Sequence, residues 1–228
     1  MKWGYEGDKS PKHWGNLSRE FKVCKTGTKQ SPVNINISKT EKTEKNSFLK
    51  FNYRSSIINL INNGNSIQQN YDEGSSINVS GEDYQLVEFH FHSPSEHTVN
   101  GKFYEMELHL VHKNDVDQYA VIGIFIETGE ENSFFKKFWD NMPKEEGWKY
   151  QSNSEKINAE KLLPKNKSFY MYDGSFTTPP CTEGVKWFVF SNFIQISNNQ
   201  LTKFRKLYDR NIRPIFPLNK RIIKYYTT

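Results

Sequence analysis

Apolar and polar residues alternate with a period of two along much of this chain, and few stretches carry the 3.6-residue period of an amphipathic helix. Strand-like runs are FLKFNY (48–53), IINLIN (57–62), SINVSG (76–81), DYQLVEFHFHS (83–93), MELHLVHK (106–113), QYAVIGIFIET (118–128), SFYMYDGS (168–175) and VKWFVFSN (185–192). NGNS, EGSS and SGED supply the turn chemistry between several of them. The clearest helix signal is ISNNQLTKFRKLY (196–208). There Ser197 and Gln200 form an S-x-x-Q capping box, Ile196 and Leu201 a hydrophobic staple, and Leu201, Phe204 and Tyr208 recur at helical spacing. SFFKKFWDNM and INAEKLLP are shorter helical candidates. The pattern predicts a mainly β fold with a few short helices at its periphery.

At 228 residues without repeats or low-complexity linkers, residues 1–228 read as a single domain, long enough to bury a substantial core. The longest apolar runs, YAVIGIFI and VKWFVF, are too short to span a bilayer as helices. The net charge of +5 is interleaved with acids: the densest basic run, KTEKTEKNSFLK (39–50), contains two glutamates and no aromatic platform facing its lysines. A nucleic-acid reader would concentrate its charge on one face, so neither nucleic acid nor membrane is expected as a partner. Cys24 and Cys181 form no CxxC pair; they are either free buried thiols or the closure of one long loop. The opening MKWGYEGDK has no apolar signal core, so any export signal is expected to have been removed or never to have existed.

Five of the six histidines lie between Glu88 and His112. In EFHFH, Glu88, His90 and His92 share one strand face, while Phe89 and Phe91 take the other. In EMELHLVH, Glu107 and His109 share a face opposite Met106, Leu108 and Leu110. An antiparallel neighbour can set His109 beside the first pair. Three imidazoles with one open position is the pattern of catalytic rather than structural zinc. Each glutamate precedes its histidine by two, as an acceptor for the second ring N–H would. A lone H-x-H on a polar strand would mean little, but Glu107 and His109 tip the balance toward a metal. His13, His97 and His112 read as hydrogen-bonded structural residues.

With these residues in place, EFHFHSPSEHTVNG, ELHLVH and GSFTTPPCTEGVKWFV, together with WGYEG, HWGNL, QSPVNI and NIRPIFPLN, resemble the α-class carbonic anhydrases, bacterial members most closely. The blocks run in order from about Trp3 to Leu218. The resemblance implies a central, twisted, mostly antiparallel sheet of about ten strands and one Zn2+ per chain on His90, His92 and His109. It implies reversible hydration of carbon dioxide to bicarbonate by zinc-hydroxide attack. Glu107 becomes the acceptor for His109, and Thr177 accepts from the zinc-bound oxygen while donating to Glu96. Val111, Val121, Phe176 and Trp187 match the carbon dioxide pocket, and Thr178 a position near the departing bicarbonate. Tyr5, Asn63 and Gln68 match the cavity's water network, and Asn211 and Arg213 a structural pair. Sulfonamides and small anions are the implied inhibitors, a homodimer the analogous assembly. Cys24 and Cys181 match a disulfide of bacterial members, and with it a periplasmic or secreted location.

Three departures stand out. Asn65 occupies the position of the usual proton-shuttling histidine and cannot titrate near neutrality. Glu88 stands where many relatives have glutamine, and Phe176 where leucine is common. Two other classes compete: a binding module that has lost catalysis, opposed by the retention of all three histidines, Glu96 and Thr177; and a dedicated zinc hydrolase, opposed by the lack of H-E-x-x-H or a nucleophile elbow.

Overall fold

The computed structural model describes residues 2–43 and 48–227; part of the basic run at 39–50 therefore lies outside the described residues. Among the described residues fifteen strands follow one another: β1 (Asn34–Ile35), β2 (Glu41–Lys42), β3 (Leu49–Asn52), β4 (Ser55–Asn62), β5 (Ile67–Asn70), β6 (Ser76–Val79), β7 (Glu82–His92), β8 (Thr98–Val99), β9 (Met106–Lys113), β10 (Tyr119–Thr128), β11 (Lys149–Asn158), β12 (Phe169–Ser175), β13 (Glu183–Phe190), β14 (Ile194–Ile196) and β15 (Lys224–Tyr226). The helices are α1 (Trp14–Leu17), α2 (Val23–Thr26), α3 (Ser133–Asp140) and α4 (Asn198–Arg205), with short 3-10 turns between elements.

Thirteen strands join one sheet, whose main path is β11-β4-β5-β7-β9-β10-β13-β12-β15-β2; β1 and β8 form a separate ribbon. β3 pairs with β6, β6 with β7, and β14 with β10. The sheet is mixed but mostly antiparallel, with parallel contacts at β10–β13, β10–β14 and β15–β2. The excess over the ten expected strands comes from short peripheral pieces such as β2, β14 and β15.

The centre of the sheet explains its own sequence. β10 lies between β9 and β13 with both faces covered, so AVIGIFI reads as continuous apolar residues and is buried throughout. One face of β9 and β10 packs into the main core with Phe89 and Phe91 of β7. α3 closes that core. Its Phe135, Phe138 and Trp139, spaced for one helical face, place their rings 5.7, 5.5 and 4.9 Å from Phe91. Asn132 caps α3 by accepting from the Phe134 amide, and the Ser197–Gln200 capping box of α4 is formed in both directions. INAEKLLP yields only a 3-10 turn at Ala159–Leu162, because β11 extends through Asn158 before it.

The other sheet face carries a second core of Val111, Val121, Tyr172, Trp187 and neighbours. Cys24 and Cys181 are bonded to each other and pack with Trp14, Trp3 and Tyr5. Among the described residues, no helix is long and apolar enough to cross a membrane.

Candidate metal centre

Antiparallel pairing of β7 with β9 sets His90 opposite His109 and His92 opposite Glu107. The three imidazoles gather with centroids 5.0 Å (His90–His92), 5.3 Å (His90–His109) and 4.6 Å (His92–His109) apart. One ring nitrogen from each lies within 4.8 Å of the others.

A β-bulge makes this convergence possible. Tyr84 and Leu86 enter the main core, and so do Phe89 and Phe91, so the alternation of β7 breaks between 86 and 89. Leu86 opposes His112 and Glu88 opposes Val111, leaving Val87 over between them. One extra residue reverses which face every later side chain takes. It moves His90 and His92 out of the core face and onto the cavity face. On the neighbouring strand Gly123 lies opposite His109. A Cβ there would stand 2.8 Å from Glu107 Oε1, so the apolar run of β10 is interrupted where the carboxylate needs room.

Each imidazole has its second nitrogen engaged. His90 Nδ1 donates to Glu88, 3.0 Å from either oxygen. His109 Nε2 donates to Glu107 Oε1 at 2.9 Å. His92 Nδ1 donates to the Asn211 carbonyl at 2.7 Å. The remaining nitrogens therefore carry lone pairs, and His92 Nε2 is buried with no hydrogen-bond partner. Glu96 Oε2 is buried and unpartnered as well, 3.5 Å from His92 Nε2. Orphaned buried polar atoms of this kind are costly unless a partner engages them. Three imidazole donors with fixed tautomers, one of them orphaned, fit a tetrahedral cation with one position left for solvent.

The electrostatics keep those lone pairs available. Burial lowers the pKa of His92 to about 3 and of His109 to about 4, the latter despite the pull of Glu107. His90 is the exception: burial depresses it, but the charge and hydrogen bond of Glu88 outweigh that and leave it raised. Burial would also raise Glu107, yet His97 and His109 hold it well below the usual carboxylate range. Its Oε1 accepts from His97 Nδ1 at 2.7 Å as well as from His109, and its Oε2 accepts the amides of Glu96 and His97 at 2.8 Å each. Glu96 is raised by burial, opposed by His109, by the Thr177 hydroxyl and by the Arg213 amide. That amide donates to Glu96 Oε1 at 2.9 Å.

His90 and His92 line a cavity of about 170 Å³. Tyr5, Asn63, Asn65, Gln68, Glu88 and Thr178 line it on the polar side, Val111 and Phe176 on the apolar side. Val121 and Trp187 lie behind that wall, buried, with the indole of Trp187 4.9 Å from His109. Thr177 is buried beside Glu96. Tyr5 has its hydroxyl buried without a partner, and Asn63 donates to Gln68 Oε1 at 3.2 Å.

The other histidines are engaged elsewhere. His112 faces the core, hydrogen-bonded to Tyr53 at 2.9 Å and to the Ala120 carbonyl at 3.2 Å. His97 links Glu107 to the Tyr172 hydroxyl at 2.6 Å, and His13 stands at the start of α1. A second close group, His97, Glu107 and His109, is the hydrogen-bonded support of the first.

Sequence reasoning missed two lining residues, Trp3 and Ser66, and the acceptor for His92. That acceptor is a backbone carbonyl 119 positions away, which leaves no local pattern to find. The bulge did leave a trace, in the three-residue step between the apolar Leu86 and Phe89.

Comparison with known proteins agrees with this geometry. A family model described as eukaryotic-type carbonic anhydrase matches residues 9–227. A carbonic anhydrase from Nostoc sp. is 40% identical over 225 residues, spanning 98% of this chain and 85% of that protein. One from Neisseria gonorrhoeae is 43% identical over 223 residues, spanning 97% and 86%. The structure of α-carbonic anhydrase from Thermovibrio ammonificans in complex with the inhibitor sulfanilamide aligns with a TM-score of 0.94 at 43% identity over 98% of each chain. In sequence and in fold, the chain belongs to the eukaryotic-type, or α, carbonic anhydrase family.

Proposed function

We propose that residues 1–228 form one catalytic domain for the reversible hydration of carbon dioxide to bicarbonate and a proton, with a single zinc ion on His90, His92 and His109. The observation that carries this reading is the set of three converging ring nitrogens, each fixed in its tautomer by a separate acceptor. Zinc held there supplies a nucleophile at neutral pH by lowering the pKa of a coordinated water to about 7, the general value for carbonic anhydrases rather than one read from this chain.

The protein's own contribution is orientation and exclusion. Glu96, fixed by the Arg213 amide, would hold the Thr177 hydroxyl proton, which leaves Thr177 Oγ1 as an acceptor facing the open position. Val111 and Phe176, backed by Val121 and Trp187, make a wall suited to an apolar gas, and Thr178, which lines the same cavity, would stand near the departing anion. Tyr5, Asn63 and Gln68 hold the polar side, along which protons leave through water. Asn65 cannot relay them by titration, so proton export falls to solution buffer.

Sulfanilamide is the inhibitor in the Thermovibrio complex, and sulfonamides and small anions are inhibitors proposed for this chain. The disulfide supports an oxidising, periplasmic or secreted location. A homodimer is the assembly proposed by analogy. Zinc stoichiometry measured together with hydration rate at several buffer concentrations tests the reading. One zinc per chain with a buffer-dependent rate is expected; a folded, zinc-free or inactive protein would return the binding-module alternative.

A further inference from the structure

A larger cavity than the catalytic one, about 470 Å³, lies between α3 and α4 on the far side of the sheet. Its floor is apolar: Trp139, Met142 and Leu207. The indole Nε1 of Trp139 already donates to the Gln200 carbonyl at 2.6 Å, so the ring offers only carbon to the cavity. The rim is basic, with Lys144, Lys203 and Lys206. The single acid there, Asp140, is engaged by Lys203 at 2.6 Å and Lys136 at 3.2 Å, which cancels one of the rim charges. Among the described residues, Lys144 and Lys206 make no ion pair. The cavity thus has an oily base and two uncompensated ammonium groups at its mouth.

We propose that this cavity is a binding site for a small amphipathic carboxylate: a short aliphatic or aromatic body on Trp139, Met142 and Leu207, and one anionic head between Lys144 and Lys206. The volume falls in the range of small-molecule sites, which are mostly apolar with a few polar groups fixing orientation. Burial of the body supplies affinity without direction, and the lysine pair supplies selection for negative charge. The cavity is separated from the catalytic one by Asn62. That side chain donates to the Pro143 carbonyl at 3.1 Å on one side and, on the other, accepts from Tyr208 and from the Gly64 amide at 3.1 Å, next to the cavity-lining Asn63 and Asn65. None of the residues assigned to the new site lines the catalytic cavity.

Octanoate, with octylammonium as the charge-reversed probe, tests the site by calorimetry on the zinc-loaded protein with saturating sulfanilamide present. One octanoate per chain is expected, with octylammonium at least about tenfold weaker. In a Lys144→Glu/Lys206→Glu variant octanoate binding should fall at least about tenfold while carbon dioxide hydration without octanoate stays unchanged. A Lys144→Gln/Lys206→Gln variant should fall between the two. Equal binding of the two probes, undiminished octanoate binding in the charge-reversed variant, or no octanoate binding by the wild type would each overturn the proposal.

Discussion

Leu86 and Phe89 enter the same hydrophobic core although they lie an odd three positions apart on one strand. The odd step is absorbed at Val87, and it decides which way His90 and His92 point. Deleting Val87 is expected to restore strict alternation and turn both imidazoles into the core. Zinc content by atomic absorption should then drop to near zero. Val87→Thr keeps the residue count at a position 43% exposed, and should retain zinc with a stability change within about 0.5 kcal/mol. A deletion variant with full zinc content would show that the bulge does not set the site.

Glu107 serves two histidines and two backbone amides at once. Glutamine can offer only one oxygen to four donors. Glu107→Gln should therefore weaken zinc binding about 10- to 100-fold, as measured by competition with a chelator. It should also lower unfolding free energy by about 2 kcal/mol or more, because charge-assisted hydrogen bonds are lost inside the protein. Unchanged zinc affinity would separate the carboxylate from the metal centre.

Asn65 is held by its backbone: the Asn211 side chain donates to its carbonyl at 3.0 Å, and its amide donates to Asn63 Oδ1 at 3.0 Å. Its side chain can be exchanged without disturbing the loop. Asn65→His should raise turnover about tenfold or more in weak buffer and leave it little changed in concentrated imidazole. Stopped-flow hydration at several buffer concentrations distinguishes the cases, and equal rates in weak buffer would remove Asn65 as the limiting feature.

Burial lowers the pKa of His112 to about 3, and its partners are the Tyr53 hydroxyl and the Ala120 carbonyl. Because the unfolded value is near 6.5, the unfolded chain takes up the proton first on acidification. The contribution is complete above pH 6.5 and is lost as pH falls toward about 3. Denaturant unfolding of His112→Phe should show a pH slope shallower by up to about 1.4 kcal/mol per pH unit in that window. An unaltered slope would mean that His112 is already protonated in the folded protein.

The disulfide closes a separation of 157 residues. Loop-closure entropy puts its stabilisation at up to about 5 kcal/mol. Cys24→Ser/Cys181→Ser should lower the melting temperature markedly, and dithiothreitol should lower that of the wild type but not of the variant.

Period-two alternation made the central strands legible, since β7 puts His90 and His92, and β9 puts His109, on the face away from Phe89, Phe91, Leu108 and Leu110. The capping box of α4 was equally plain, being a local device. β11 was missed because its KYQSNSEKIN is an edge strand of largely polar residues, of which only Ser152 and Ile157 are buried, and an irregularity between Gln151 and Lys156 breaks its alternation. The cavity's depth was hidden for another reason. Trp3 and Ser66 come to it, and Asn211 to His92, from three distant parts of the chain, and contacts of that kind carry no short-range signature.

The segment from Asn211 to Arg213 supplies the acceptor for His92 and the amide donor for Glu96, while the Asn211 side chain pins the backbone at Asn65 and Phe91. These contacts reach back across more than a hundred residues of earlier chain. During synthesis on a ribosome His92 and Glu96 emerge long before the backbone groups that hold them steady. A nascent polypeptide halted before Asn211 would present one of its three imidazoles, His92, unbraced, so tight ion capture becomes a late event that reports on whether translation has passed this point.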